Sequence, residues 1–146
     1  MKKSNNIDSD LNPGELVRFS RHLSLSQIGI QGQKELKAAS ILCVGCGGLG
    51  SPLLLYLAAA GIGNIGIVDF DVVDESNLQR QIIHGTSWIG KLKTLSARAR
   101  INEINPYCKV DLYETGKQAQ DEVRLATPLK TGTKTSVMVD SNLMRI

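Results

Sequence analysis

The chain has 146 residues, enough for one domain with a buried core. Its 17 basic and 14 acidic side chains give a net charge of +3, too slight a balance to indicate a nucleic-acid or membrane partner. With 42% hydrophobic residues the composition excludes global disorder. The longest apolar run, Leu53 to Ala60, has 8 residues where a membrane span needs about 20. The three cysteines lack the spacing of a disulfide framework, which favours a reducing, cytoplasmic location.

The first third of the chain is predicted to be a short tail and a helical arm. Residues 1–12 are polar and are predicted to be a loose tail, without the apolar segment of a secretory signal. The domain is predicted to span residues 13–146. Within it, residues 13–39 have apolar side chains at helical spacing, interrupted by glycines.

A strand, a glycine turn, a helix and a second strand follow within about 30 residues. Residues 39–44 form a continuous apolar run, typical of a strand buried on both faces. Residues 45–50 are rich in glycine, residues 51–60 predict a buried helix, and residues 64–69 predict the second strand. This order is typical of a βαβ unit with parallel strands.

The rest of the chain continues the alternation of helix and strand. Residues 70–90 predict a long functional loop with one or two short helical turns. A helix over 91–105, a strand over 109–114, a weaker helix over 116–126 and a strand over 135–140 follow. The apolar residues of the helix over 91–105 are predicted to face inward; they are Leu92, Leu95, Ala99, Ile101 and Ile104. The pattern predicts an α/β, Rossmann-like fold with a mainly parallel sheet and an N-terminal helical arm.

The glycine turn is the first candidate site. Closely spaced glycines after a strand let backbone N–H groups approach a phosphate, and the following helix N-terminus adds positive potential. Asp69 lies 19 residues beyond Gly50, at the end of the next strand, where a ribose-binding carboxylate belongs. These features predict nucleotide binding, with a merely structural turn as the alternative.

Cationic residues after the second strand suit a triphosphate better than a dinucleotide. Arg80, in the segment 76–81, and Lys93 are candidate phosphate ligands, with solvated surface cations as the alternative. Arg18 and Arg21 share one helix face, and an exposed basic face is the alternative to a functional role. His22 and His84 have no partners at metal-ligand spacing and are interpreted as unremarkable.

The pair Cys43 and Cys46 spells CxxC. Since no second pair exists, we interpret it as a buried strand cysteine and a turn cysteine, with a redox pair or half a zinc site as the alternative. No residue is predicted to bind a metal.

Five motifs in order carry a family resemblance. They are residues 18–22 (RFSRH), 45–50 (GCGGLG), 68–71 (VDFD), 76–81 (SNLQRQ) and 104–106 (INP). Over about residues 13–115 the chain resembles the MoeB/ThiF family, which is related to the ubiquitin-activating enzymes. The resemblance implies an enzyme that uses Mg·ATP to adenylate the C-terminal glycine of a small ubiquitin-like sulfur-carrier protein, releasing pyrophosphate. It therefore implies ATP and Mg²⁺ as ligands, and the carrier as partner.

The resemblance also implies roles for individual residues. Gly48 resembles the glycine against the nucleotide, Asp69 the ribose acid, and Arg21 an arginine that reaches the ATP of a partner subunit. The implied catalytic residues are Arg21, Arg80 and Lys93. The implied nucleotide-binding residues are Gly45, Gly47, Gly48, Asp69, Ser76, Asn77, Leu78, Gln79, Arg80 and Lys93.

The C-terminal part departs from the family pattern. The segment around Asp140 resembles only a shortened form of the acidic motif that binds magnesium in the family. The family's later cysteines, which include its zinc ligands, have no counterpart in this sequence. We therefore expect a C-terminally truncated or diverged member that forms a homodimer or pairs with a longer homologue. A nonenzymatic nucleotide-binding or dimerising fragment is the alternative function. An NAD-binding domain is a third interpretation, but it gives the segment 76–81 and Arg21 no role.

Overall fold

The computed structural model describes residues 10–113 and the backbone of residues 135–139. The predicted helix over 116–126 and Asp140 lie outside the described residues, as do residues 1–9 of the predicted tail. The helices are α1 (Pro13–Arg18), α2 (Ser20–Leu23), α3 (Gly29–Ala38), α4 (Gly50–Ala60) and α5 (Lys93–Ile104). The strands are β1 (Ser40–Val44), β2 (Asn64–Val68), β3 (Lys109–Tyr113) and β4 (Thr135–Val139).

These four strands form one parallel sheet in the order β3-β2-β1-β4. Ile41 pairs with Ile65 in the centre, and Ile65 pairs with Val110. The α/β fold with a parallel sheet is thus confirmed. Since parallel strands all end at the same edge, the turns after β1 and β2 lie side by side. That edge carries both the glycine turn and Asp69.

The main core lies between the sheet and the helices α4 and α5. Its fully buried members include Leu54 of α4, Ile65 and Ile67 of β2, and Ile101 of α5. Burying each such side chain contributes about 1.5–3 kcal/mol to stability. Within the described residues, no helix has both the length and the apolarity needed to cross a membrane.

The predicted helical arm consists of three helices, α1, α2 and α3. Asn12 caps α1, because its side chain accepts from the Glu15 N–H at 2.9 Å while Glu15 accepts from the Asn12 N–H at 2.8 Å. The arm packs on the C-terminal end of α4. There the Gln33 amide donates to the Ala60 carbonyl at 3.0 Å.

Helix α5 corrects one prediction from periodicity. Leu92, Leu95 and Ala99 were expected to face inward, but they are only partly buried, and Ile101 alone of the expected apolar set is fully buried. The side chains that the structure buries on α5 are Lys93, Thr94, Ser96, Ala97 and Ile101. In its first turns this face packs against the loop after β2, where Lys93 contacts Asp71 and Ser96 contacts His84, while the buried Thr94 hydroxyl has no hydrogen-bond partner among the described residues.

The short helical turns predicted in the loop after β2 are confirmed. The loop contains two short 3₁₀ turns, Glu75–Asn77 and Thr86–Trp88. Its ends are joined by hydrogen bonds, among them Val73 N–H to the Lys91 carbonyl at 2.8 Å. The loop therefore has a defined path next to the glycine turn.

Candidate nucleotide-binding site

The glycine turn after β1 bends where side chains would not fit. Gly45 has φ +94°, a left-handed conformation that favours glycine, and its N–H donates to the Val68 carbonyl at 2.7 Å. A Cβ on Gly50 would lie 2.0 Å from the Gly45 carbonyl oxygen. The two glycines therefore let the chain leave β1 and enter α4 within a few residues.

Three successive backbone amides in this turn are unused. Among the hydrogen bonds of residues 10–113, none takes the N–H of Gly47, Gly48 or Leu49 as donor. Helix α4 also begins without a side-chain cap. Unpaired amides at a helix N-terminus form an anion site, since the helix dipole adds positive potential there. The turn thus has the groups that a phosphate needs.

The Asp69 side chain is hydrogen-bonded to the backbone of this turn. The residue is only 4% exposed. Its Oδ2 accepts from the Cys46 N–H at 3.0 Å and from the Cys46 thiol at 3.4 Å, and its Oδ1 accepts from the Asp71 N–H at 2.9 Å. A carboxylate oxygen has two lone pairs, so Oδ2 is fully used by its two donors, whereas Oδ1 can still accept from a ligand hydroxyl. Asp69 can therefore both hold the turn and receive a ribose.

Lys93 is a buried cation at the start of α5. It is 6% exposed, which excludes the alternative that it is a solvated surface cation. Its Nζ lies 3.3 Å from Oδ2 of Asp71, whose side chain is exposed. The Lys93 N–H also donates to the Asp71 carbonyl at 2.9 Å. Since an ammonium group has three donors, Lys93 can hold Asp71 and an anionic ligand together.

The segment 76–81 is ordered by its own hydrogen bonds. Asp74 accepts from the Ser76 N–H at 2.8 Å, and Asn77 Oδ1 accepts from the Asp74 N–H at 3.1 Å. Hydrogen bonds from Ser76 hold the pKa of the Asp74 carboxyl below its usual value. Among the hydrogen bonds of residues 10–113, none uses the side-chain N–H₂ group of Asn77, so this group can donate to a ligand.

The other predicted residues of this segment differ in exposure. Leu78 is half-buried and Gln79 is exposed. Arg80 is exposed too, and its Nη1 donates to the Ser76 carbonyl oxygen at 3.3 Å.

Arg21 lies at the other end of the domain from the glycine turn. It is exposed on α2, between Phe19, which packs at Gly61, and His22, which is bonded to Gln33 at 2.8 Å. Helix α4 separates this end from the turn by 11 residues, or about 16 Å. The structure does not bring Arg21 to its own chain's site.

Two further residues, which the sequence did not single out as functional, hold the loop against the turn. The Ile83 N–H donates to Ser51 Oγ at 2.6 Å. His84 contacts both the glycine turn and α5, with Nε2 3.0 Å from the Cys46 carbonyl oxygen and Nδ1 2.9 Å from Ser96 Oγ. No spacing in the sequence signals these contacts, because the fold brings together residues 32 and 38 positions apart.

The cysteines have the structural role predicted for them. Cys43 and Cys46 are buried and form no disulfide, one lying in β1 and one in the turn. Burial, with Asp69 close by, raises the pKa of the Cys46 thiol far above its usual range. Within the described residues, no three His, Cys, Asp or Glu side chains are grouped so that they could hold a metal ion.

Comparison with known proteins identifies the family. Residues 19–131 match the ThiF family. The chain belongs to the ThiF family. It is 59% identical over 106 residues to the Mycobacterium tuberculosis protein named "Probable adenylyltransferase/sulfurtransferase MoeZ", covering 73% of this chain and 27% of MoeZ. It is 53% identical over 111 residues to the Porphyra purpurea "Probable molybdopterin-synthase adenylyltransferase", covering 76% and 29%.

Solved structures support the same fold. The structure of Escherichia coli MccB with ATP matches with a TM-score of 0.63 and 27% identity, over 84% of this chain and 36% of MccB. The chain spans just over a quarter of the length of MoeZ and of the Porphyra purpurea protein. The ThiF match over residues 19–131 includes the glycine turn and Asp69.

Proposed function

We propose that this ThiF chain binds ATP at the glycine turn and takes part in adenylating the C-terminal glycine of a small ubiquitin-like sulfur-carrier protein in the cytoplasm. The observation that carries the proposal is the row of unpaired amides in the turn, next to a buried carboxylate and a buried lysine. Together they suit phosphates, a ribose and the charge of a triphosphate. The relatives at 53% identity and above are named adenylyltransferases, and MccB was solved with ATP.

The proposed reaction needs no nucleophile from the protein. A carboxylate oxygen of the carrier's terminal glycine attacks the α-phosphorus of ATP. The bond from that phosphorus to the bridging oxygen breaks, and pyrophosphate leaves with the electron pair. Negative charge develops on the phosphate oxygens, so the rate depends on positive groups fixed near them.

Each site residue then has a role that its position supports. The amides of Gly47 and Gly48 bind phosphate oxygens, and Oδ1 of Asp69 accepts from a ribose hydroxyl. Lys93 is the fixed cation, because Asp71 holds it in place before ATP arrives. Arg80, at the loop surface, is the adaptable phosphate ligand.

Magnesium would be held mainly by the triphosphate, since Mg²⁺ keeps several waters and binds proteins through one or two carboxylates. Among the described residues Asp71 is an exposed carboxylate beside Lys93, and Asp140, the acid that the resemblance implies, lies outside them. The ion would neutralise phosphate charge.

We further propose that Arg21 acts on the site of a second subunit, either another copy or a longer homologue. Its position on the arm, about one length of α4 from its own glycine turn, leaves it free to cross an interface. An equimolar mixture of an Arg21→Ala chain and an Arg80→Ala chain tests this. The mixture should regain part of the activity that each lacks alone, since one of its two sites is intact.

The test of the overall function is ATP–pyrophosphate exchange. The chain is mixed with a ubiquitin-like sulfur carrier, or with the same carrier lacking its terminal glycine as a matched control. Exchange with the intact carrier alone supports the proposal. Saturable ATP binding without exchange supports the alternative of a nonenzymatic nucleotide-binding fragment. Binding of NAD but not ATP contradicts both.

A further inference from the structure

The His84 ring has no role in the proposed chemistry, yet it lies between the glycine turn and α5. It is 7% exposed, and its partner Ser96 is 1% exposed. Nε2 is 3.0 Å from the Cys46 carbonyl oxygen, and Nδ1 is 2.9 Å from Ser96 Oγ. Both ring nitrogens are therefore used inside the protein.

The two contacts define the tautomer of the ring. A carbonyl oxygen only accepts hydrogen bonds, so Nε2 must carry the hydrogen and donate it to Cys46. In the neutral ring Nδ1 is then an acceptor, and the Ser96 hydroxyl donates to it. Ser96 thus selects the tautomer that can bind the glycine turn.

The bond from His84 also sets the direction of an amide in the turn. In a trans peptide the carbonyl of Cys46 and the N–H of Gly47 point in opposite directions. While His84 holds the Cys46 carbonyl inward, the Gly47 N–H points away from the ring. Asp69 holds the other side of Cys46 by accepting its N–H at 3.0 Å. The peptide before Gly47 therefore has little freedom to rotate.

We propose that His84 is a positioning residue that aims the Gly47 amide at a phosphate of the bound nucleotide, with Ser96 fixing its tautomer. The neighbouring residue keeps His84 in place, because the Ile83 N–H is bonded to Ser51 in the first turn of α4 at 2.6 Å. The inference rests on the proposed ATP site, but it concerns the shape of the turn before any ligand binds.

Two substitutions at the same position separate positioning from simple packing. In His84→Gln the amide N–H₂ group stands near the place of Nε2 and can still donate to Cys46. In His84→Asn the amide N–H₂ group stands near the place of Nδ1, so it can contact Ser96 but cannot donate to Cys46. We expect ATP affinity, measured by calorimetry on the full chain, within about threefold of the parent for His84→Gln and about tenfold weaker for His84→Asn, which is the loss of one hydrogen bond. Urea unfolding of both variants measures the structural contribution.

Equal ATP affinity in a folded His84→Asn chain would overturn the inference, as would equal losses in the two variants. The ligand-free amide spectrum provides a second test. The Gly47 signal should shift in His84→Asn and stay near its place in His84→Gln. If His84→Asn does not fold, Ser96→Ala replaces it, and the ring ¹⁵N shifts of His84 should then show a weaker preference for the Nε2–H form. If the parent binds no ATP, the proposed function fails, whereas an unmoved Gly47 signal refutes the positioning role itself.

Discussion

Substituting Gly50 by alanine should remove nucleotide binding through a single added methyl group. The new Cβ would lie 2.0 Å from the Gly45 carbonyl oxygen and 2.9 Å from its carbon, both backbone atoms of the turn. The new Cβ and the carbonyl oxygen must move about 1 Å apart before their distance reaches even 3.0 Å. Overpacking of this kind costs about 1–3 kcal/mol. Because the displaced carbonyl belongs to the turn itself, the amides of Gly47 and Gly48 move with it.

Gly63→Ala is a matched control at the opposite end of the sheet. Its Cβ would meet another backbone carbonyl oxygen, that of Lys37, at 1.8 Å, so the steric conflict is at least as severe. Urea unfolding should show comparable losses of stability in both variants. ATP titration should show lost or at least about tenfold weaker binding only in Gly50→Ala. If Gly50→Ala binds ATP as the parent does, the glycine turn is not the phosphate site.

Three further substitutions test other parts of the site. Arg80→Ala should weaken ATP binding while the unfolding free energy changes by less than about 0.5 kcal/mol, since the side chain is exposed; an unchanged affinity would leave Arg80 a surface cation. Ser51→Ala should cost about 1–3 kcal/mol in urea unfolding, because it leaves the Ile83 N–H buried without an acceptor, and a smaller loss would mean that the loop is not held there. Burial lowers the pKa of His84 below its usual value of 6.5. As the pH drops below about 6.5, His84 is therefore protonated in the unfolded chain before it is protonated in the folded chain, and the free energy of unfolding falls. In the His84→Gln chain the free energy of unfolding should fall less over this pH range than in the parent chain. If the two chains lose the same free energy of unfolding, His84 is not the group responsible.

The sheet and the glycine turn could be predicted because their signals are local. Apolar runs define β1 and β2, glycines define the turn, and the position of Asp69 at the end of β2 follows from the strand that precedes it. Parallel pairing then places the two strand ends together. None of these steps requires knowledge of a distant contact.

The burial of Lys93 and the contacts of His84 could not be read from the sequence. Periodicity assumes an apolar buried face, but α5 turns a lysine, a threonine and a serine inward. That face is stabilised by partners in the loop after β2, among them Asp71, 22 residues before Lys93. A histidine without metal-ligand spacing likewise gives no sign of a carbonyl 38 residues away. Such contacts depend on how a loop returns to the sheet.

Calorimetric titration of the full chain with Mg·ATP, and separately with NAD, tests the central claim most directly. The glycine turn, Asp69 and Lys93 predict saturable binding of ATP and little binding of NAD, with ATP binding weaker when its ribose hydroxyls are removed. Equal affinity for ribose and deoxyribose nucleotides would remove Asp69 from the site. Binding of NAD in preference to ATP would contradict the account as a whole.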